Sequence, residues 1–249
     1  MNAANDQALQ VGAPSAPRTA RERARAEITA EILNAARGYL ATDGAPALSL
    51  RAIARDLGMA SSALYRYFSS RDELLTRLII DAYDSLGAAA EAGEATADRD
   101  DLAARLAAVC AAVRAWALAH PNEYALIYGS PVPGYVAPAD TVRPASRVTA
   151  LVLRIIVEAA LAGRIPDADT PDAEAQPVAA AVAPIRSYLP PGVPAPLVQR
   201  ALMVWTNLFG VVSFELYGQL HGVVGEEPGD REAFFAACIQ HWIHLTGIT

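Results

Sequence analysis

The chain has 249 residues, 53% hydrophobic and 7% aromatic, enough to bury one large core or two modest ones. A net charge of −7 excludes a uniformly basic, nucleic-acid-coated surface, yet residues 1–71 carry nine Arg and six acids while residues 72–249 carry eleven Arg and twenty-one acids. A basic head on an acidic body fits a DNA-binding module joined to a second unit, and because all twenty basic residues are Arg, cationic phosphate contacts fall to Arg alone.

Residues 1–18 are rich in Ala, Asn, Gln, Pro and Ser and read as a disordered arm, which we extend to 1–20. No secretory signal is visible in this arm, and Cys110 and Cys238 sit in apolar helical patterns, so a cytoplasmic protein with reduced thiols is expected. The longest uncharged apolar stretch, Ala201–Phe214, has fourteen residues, too few to span a bilayer, and no membrane role is expected.

Thr19 and Glu22 form a T-x-x-E capping box that predicts a helix to about Thr42, with Ile28, Ile32, Ala36, Tyr39 and Leu40 on one face. Gly44 and Pro46 end it, and Ser49 caps a short second helix, Leu50–Leu57, closed by Gly58. A third short helix is predicted from about Ser61 to Phe68, burying Leu64 and Phe68. A fourth begins near Arg71 and frays in the small, acidic stretch Ala88–Asp98. Further helices are predicted over Asp100–Ala119, Asn122–Gly129 and Thr141–Ala162, the last burying Val148, Leu151, Val152, Ile155, Ile156 and Ala159. After the Pro- and Asp-rich connection Arg164–Pro177 come a short helix, Val178–Tyr188, and two long ones, Leu197–Leu220 and Asp230–Thr246. No period-two strand pattern occurs, so the expected fold is all-α. P-loop, G-x-S-x-G, H-E-x-x-H and Gly-rich nucleotide motifs are missing, and neither an enzyme activity nor a cofactor is expected.

The segment Ser49–Arg71 is the informative one: two short helices meet across a Gly turn, as in a helix-turn-helix. The exposed face of the second helix carries Ser61, Ser62, Ala63, Tyr65, Arg66 and Tyr67, a set of short polar and small side chains that can reach base edges and a thymine methyl in a major groove. The helix starts near Ser49 and Arg71 offer backbone N–H groups to phosphate. The arm residues Arg18, Arg21, Arg23 and Arg25 fit either a minor-groove contact or a solvated helix start.

Here the chain resembles the TetR family of transcriptional regulators. The matching residues are Ile28, Ala35-Ala36, Tyr39-Leu40 and Gly44, then Leu50-Arg51-Ala52-Ile53-Ala54, Leu57-Gly58, Leu64-Tyr65-x-Tyr67-Phe68 and Arg71-Asp72-Glu73-Leu74-Leu75, in order and correctly spaced. Three positions depart from the family pattern: Ala60 stands where a capping Ser is common, Tyr67 replaces a His, and Arg71 replaces a Lys. The resemblance implies that Tyr65, Tyr67 and Arg71 contact the DNA backbone, that Ser61, Ser62, Ala63 and Arg66 lie against base edges, and that Ser49 and Arg51 flank the groove. It implies a DNA-binding domain over residues 21–86, with its motif at about 49–68, and a ligand-binding and dimerisation domain over residues 87–249.

Within that second domain, Trp205-Thr206-Asn207-Leu208-Phe209-Gly210 resembles the TetR-like C-terminal type named for a Trp…His-Gly (WHG) signature, with Phe209 at the His position. The resemblance implies a homodimer through the last two helices, a near-palindromic operator in double-stranded DNA and a small-molecule effector. Trp116, Tyr124, Tyr128, Tyr135, Arg154, Trp205 and Phe209 are candidate pocket residues, with ordinary core packing as the alternative for each. Cys238, His241 and His244 drift around the last helix, and no metal site is expected of them. The reading is a dimeric repressor released by a small hydrophobic ligand. The alternatives are an activator, a partner-driven regulator, or an all-helical enzyme or carrier.

Overall fold

The computed structural model describes residues 19–165, 180–186, 192–227 and 229–248, and the first eighteen residues, with Arg18, lie outside them. The described chain is all-α. The helices are α1 (Ala20–Thr42), α2 (Leu50–Asp56), α3 (Ser61–Leu64), α4 (Arg71–Glu94), α5 (Leu102–Ala119), α6 (Pro121–Tyr128), α7 (Val142–Leu161), α8 (Ala183–Arg186), α9 (Ala195–Leu216) and α10 (Asp230–Thr246).

Two cores follow from the apolar spacing. Helices α1–α3 and the first half of α4 enclose Ile32, Leu33, Leu50, Ile53, Leu64, Phe68, Leu74 and Leu75. Helices α5, α7, α9 and α10, with the second half of α4, enclose Leu106, Val113, Ile155, Ile156, Leu208 and Ile239. Helix α4 serves both, the head with its first half and the body with its second. All six residues predicted to be buried on α7 are buried.

Helix α1 starts as its capping box dictates: Glu22 N donates to the Thr19 hydroxyl and Thr19 N donates back to the Glu22 carboxylate. Three boundaries differ from the sequence reading by several residues, the first being that of α9, which ends at Leu216 rather than Leu220. Helix α3 is a single turn, prolonged only by turns to Phe68. Helix α4 does not fray at Ala88 but continues to Glu94. Its small residues let α5 approach closely; a Cβ on Gly93 would sit 2.5 Å from the Ala112 Cβ. Its last residue is locked by Arg105, whose Nη2 donates to the Glu94 carboxylate at 2.6 Å. Packing and a buried ion pair outweigh the weak local propensity. Of the expected helix Val178–Tyr188, Ala183–Arg186 is described and helical.

Helices α5 and α9 are long and apolar enough to cross a membrane by length and composition, more than the fourteen-residue stretch picked out from the sequence. They are instead central helices of the body, and their charges have partners: Arg105 pairs with Glu94 and Glu158, Arg114 with Glu215, and Arg200 donates to the Thr246 carbonyl.

Candidate nucleic-acid interface and effector cavity

The head presents α2 and α3 as a helix-turn-helix. Gly58 adopts φ 63°, a left-handed conformation in which the chain leaves α2. Met59 N then donates to the Ala54 carbonyl at 2.8 Å, closing the turn. Leu64 and Phe68 are buried beneath α3, while Ser61, Ser62, Tyr65 and Arg66 are exposed and Ala63 is half-buried. Tyr65, at 44% exposure, is the most exposed aromatic of the motif. No side chain caps α3, because Ala60 occupies its N-cap and Ser61 does not take over the role.

The remaining candidates divide. Arg51 is exposed on α2. Ser49 is occupied locally, since its hydroxyl accepts from Ala52 N and caps α2. Tyr67 is half-buried against the head core, and the Arg25 guanidinium lies over its ring at 5.0 Å. Arg25 also donates to the Arg66 carbonyl at 3.3 Å, so the start of α1 is fastened to the end of the recognition segment, a link that its spacing in sequence did not signal.

Arg71 departs most from the sequence reading. It is not a freely exposed cation: its side chain is 30% exposed, Nε donates to the Leu48 carbonyl at 3.2 Å and Nη2 to the Ala45 carbonyl at 2.9 Å. It clasps the connection that leads into α2. The N-terminus of α4 is capped by Ser70, whose hydroxyl accepts from Glu73 N, and the Glu73 carboxylate accepts from the backbone and hydroxyl of Ser69. Those Ser69 hydrogen bonds hold the Glu73 carboxyl below the usual range.

Behind the head, a cavity of about 750 Å³ opens between α4, α6, the loop 129–137, the first half of α7 and α9. Its walls are largely apolar (Ile79, Leu126, Ile127, Val132, Leu202 among them), with polar atoms from Tyr83, Ser130, Thr141, Ser146 and Thr149, and no charged side chain is among them. The size suits a drug-sized ligand. Gly129 opens the loop, where a Cβ would collide with the Ala125 carbonyl oxygen.

Of the seven candidates for this pocket, Tyr135 and Trp205 line it. Phe209, Tyr128 and Tyr124 stand behind the wall as an aromatic column in the body core, with Trp205 and Phe209 rings 5.9 Å apart and Phe209 and Tyr128 rings 4.1 Å apart. Burial pushes the Tyr124 hydroxyl up to about 12, and that hydroxyl lies between the Phe209 carbonyl at 3.2 Å and the Ser213 hydroxyl at 2.8 Å. Burial, with Tyr83 and Tyr124 nearby, pushes the Tyr128 hydroxyl up further, against the opposing effect of Trp205. Trp116 faces a different, smaller cavity of about 220 Å³ beside Arg37, Asp81, His120 and Glu123. Arg154 lies at the far end of α4, donating to Glu94 at 2.7 Å. The sequence reading chose aromatics and missed the small residues that create the space; Thr141 at the N-cap of α7, with Ala145 and Thr149 on the helix at spacings of four, were the legible signal. Among the described residues, no three His, Cys, Asp or Glu side chains converge on a metal site.

Comparison with known proteins agrees with this architecture. Residues 32–78 match the family described as bacterial regulatory proteins, tetR family, and residues 106–173 and 159–242 match a tetracyclin repressor-like C-terminal domain. HTH-type transcriptional regulators of Mycobacterium tuberculosis and Mycobacterium bovis are each 40% identical over 212 residues, covering 84% of this chain and 89% of theirs. The crystal structure of the regulatory protein SCO4313 superposes with a TM-score of 0.74 at 38% identity, over 91% of this chain and 100% of that one. A protein from Rhodococcus sp. RHA1 whose function is unknown superposes with a TM-score of 0.65 at 27% identity, over 87% of this chain and 94% of its own. With its helix-turn-helix head, all-helical body and close relatives among such regulators, the chain belongs to the TetR family and is a DNA-binding transcriptional regulator rather than an enzyme.

Proposed function

We propose that this regulator is a cytoplasmic, dimeric repressor released from a near-palindromic operator by a neutral, largely apolar effector. The observation that carries the reading is the 750 Å³ cavity, because its wall is shared with the head: Leu126, Ile127, Val132 and Tyr135 line the cavity and also pack against the head core. A ligand that prefers a different wall arrangement therefore acts directly on the DNA-binding unit. The uncharged lining disfavours an ionic ligand, which would be desolvated without a partner.

The DNA contacts are assigned to the exposed side chains Arg51, Ser61, Ser62, Tyr65 and Arg66, with Ala63 against a base edge and Tyr67 reaching the backbone. Dimerisation is assigned to α9 and α10, each with an exposed stripe at alternating spacings of four and three. On α9 it runs Met203, Asn207, Gly210, Phe214; on α10 it runs Phe234, Cys238, His241, Leu245, with Cys238 half-buried. The exposed apolar side chains of these stripes, Met203, Phe214, Phe234 and Leu245, are left without a partner in one protomer, and a second copy covers them with the same residues.

The test is selection of bound duplexes from a random-sequence pool with the full-length protein, followed by anisotropy on the selected sequence during titration with neutral hydrophobic compounds. The expected result is an inverted-repeat site and at least one compound that releases it by about 5–150-fold. Compounds that bind and stabilise the protein yet leave operator affinity unchanged would refute ligand release.

A further inference from the structure

We infer that the hydroxyl pair Thr76–Tyr135 is the positioning contact that couples the cavity loop 129–137 to α4, beside the direct wall contacts that α4 makes through Ile79 and Tyr83; this rests on the ligand-release reading above and names the residues that execute it. Tyr135 Oη and Thr76 Oγ1 are 2.9 Å apart, across 59 residues of chain. Tyr135 belongs to the cavity wall and lies on the loop 129–137, whose only internal fastening among the described backbone bonds is Tyr135 N to the Val132 carbonyl at 3.1 Å. Thr76 belongs to α4 and does not line the cavity. The other polar link between the cavity wall and α4 points away from the loop: Tyr83 donates to the Ile127 carbonyl at 3.2 Å, joining α4 to α6.

Thr76 stands five residues beyond Arg71 on the same rigid helix, and Arg71 grips the Leu48 and Ala45 carbonyls that lead into α2. The path therefore has four steps: the loop carries Tyr135, Tyr135 holds Thr76, α4 transmits the displacement along its axis, and Arg71 delivers it to the helix-turn-helix. Apolar packing of Val132 and Leu126 on the head core is non-directional and tolerates sliding. A hydroxyl–hydroxyl bond has a narrow range of distance and angle, so it fixes the register of the loop against α4.

The experiment needs no identified ligand. Ala145→Phe fills the cavity from α7, and Ala137→Phe fills it from the loop should the first fold poorly. Each is combined with Thr76→Val, which keeps the β-branched shape and removes the hydroxyl, and with Thr76→Ser, which restores it. Selected operator duplex is titrated with all variants, after melting curves have verified native folding. A filling substitution is expected to lower operator affinity at least fivefold with Thr76 present, less than twofold with Thr76→Val, and at least fivefold again with Thr76→Ser. Filling that weakens the operator equally in the Thr76→Val background overturns the relay and leaves ligand release standing. Neither filling substitution changing operator affinity overturns ligand release, and the relay with it.

Discussion

Arg71 and Leu48 are joined across 23 positions by a 3.2 Å hydrogen bond from the guanidinium Nε to the backbone carbonyl, seconded by the 2.9 Å bond to Ala45. The residue to which the family resemblance gives a DNA-backbone contact thus has Nε and Nη2 turned onto the protein's own carbonyls. Three functions compete for one side chain, and geometry favours the two carbonyls over Asp72, whose carboxylate is 3.4 Å away.

Arg71→Ala is therefore expected to lower stability by about 1–3 kcal/mol, the cost of leaving carbonyls of a half-buried connection without a charged donor. Operator affinity falls with it, because α2 loses its anchor. The salt dependence separates the two roles. A lost phosphate contact reduces the slope of log K against log salt by about one unit, and a lost clasp leaves it unchanged. An unchanged slope with a lowered melting temperature is the expected pair of results.

Tyr65→Ala gives the opposite pattern. Tyr65 is 44% exposed, and its hydroxyl makes no hydrogen bond among the described residues. Its removal is expected to leave the melting temperature within the range of ordinary surface changes, about 0.5 kcal/mol, while weakening the operator at least fivefold. Anisotropy and differential scanning calorimetry on the same preparation check both halves. A loss of stability would move Tyr65 from the interface into the core.

Much of the head was legible because its signals are local. A capping box at Thr19 and Glu22, a serine cap at Ser49 and a glycine turn at Gly58 each act within four residues, and each is found in place. What the sequence misjudged is non-local. Nothing within reach of Arg71 in the sequence signals the carbonyls of Ala45 and Leu48, and nothing near Glu94 announces Arg105 or Arg154. The cavity was legible only in part, in Tyr135 and Trp205, and the rest was missed for another reason. Aromatic residues were sought as its walls, but Tyr124, Tyr128 and Phe209 are large and apolar enough to be drawn into the core, and space is left where small residues recur on α7.

Phe214 tests the proposed dimer. It is exposed at 55%, on the same α9 stripe as Met203 and Gly210. In an isologous interface each residue meets its own two-fold neighbourhood, so Phe214→Arg places two cations in one apolar seam. The wild-type protein is expected to sediment at twice 26.2 kDa and the variant at 26.2 kDa. The variant also loses high-affinity operator binding, because two recognition helices about 34–36 Å apart are needed to read successive major grooves. A dimeric Phe214→Arg protein would move the interface elsewhere.

The cluster at the far end of α4 is expected to contribute to the acid limit of stability. Arg105 is 2% exposed in its side chain and donates to Glu94 at 2.6 Å and to Glu158 at 2.6 Å, and Arg154 adds a second donor to Glu94 at 2.7 Å. Burial pushes the Glu94 carboxyl up, but the hydrogen bonds and charges of Arg105 and Arg154 outweigh it and hold the carboxyl below its ordinary value of 4.5. A carboxylate with a depressed folded pKa stabilises the protein fully above its unfolded pKa, and that contribution is lost as pH falls through the folded one. The melting temperature is therefore expected to be insensitive to this group above about pH 5 and to fall below pH 4.5. Arg105→Ala strips the partner from two carboxylates at once and is expected to cost about 3–5 kcal/mol at neutral pH. Glu94→Gln is expected to cost less, and to flatten the acid limb, since the neutral amide has no proton to take up there. Melting curves from pH 3.5 to 7.5 on the three proteins decide the matter: an acid limb as steep in Glu94→Gln as in the wild type would assign it to other carboxylates.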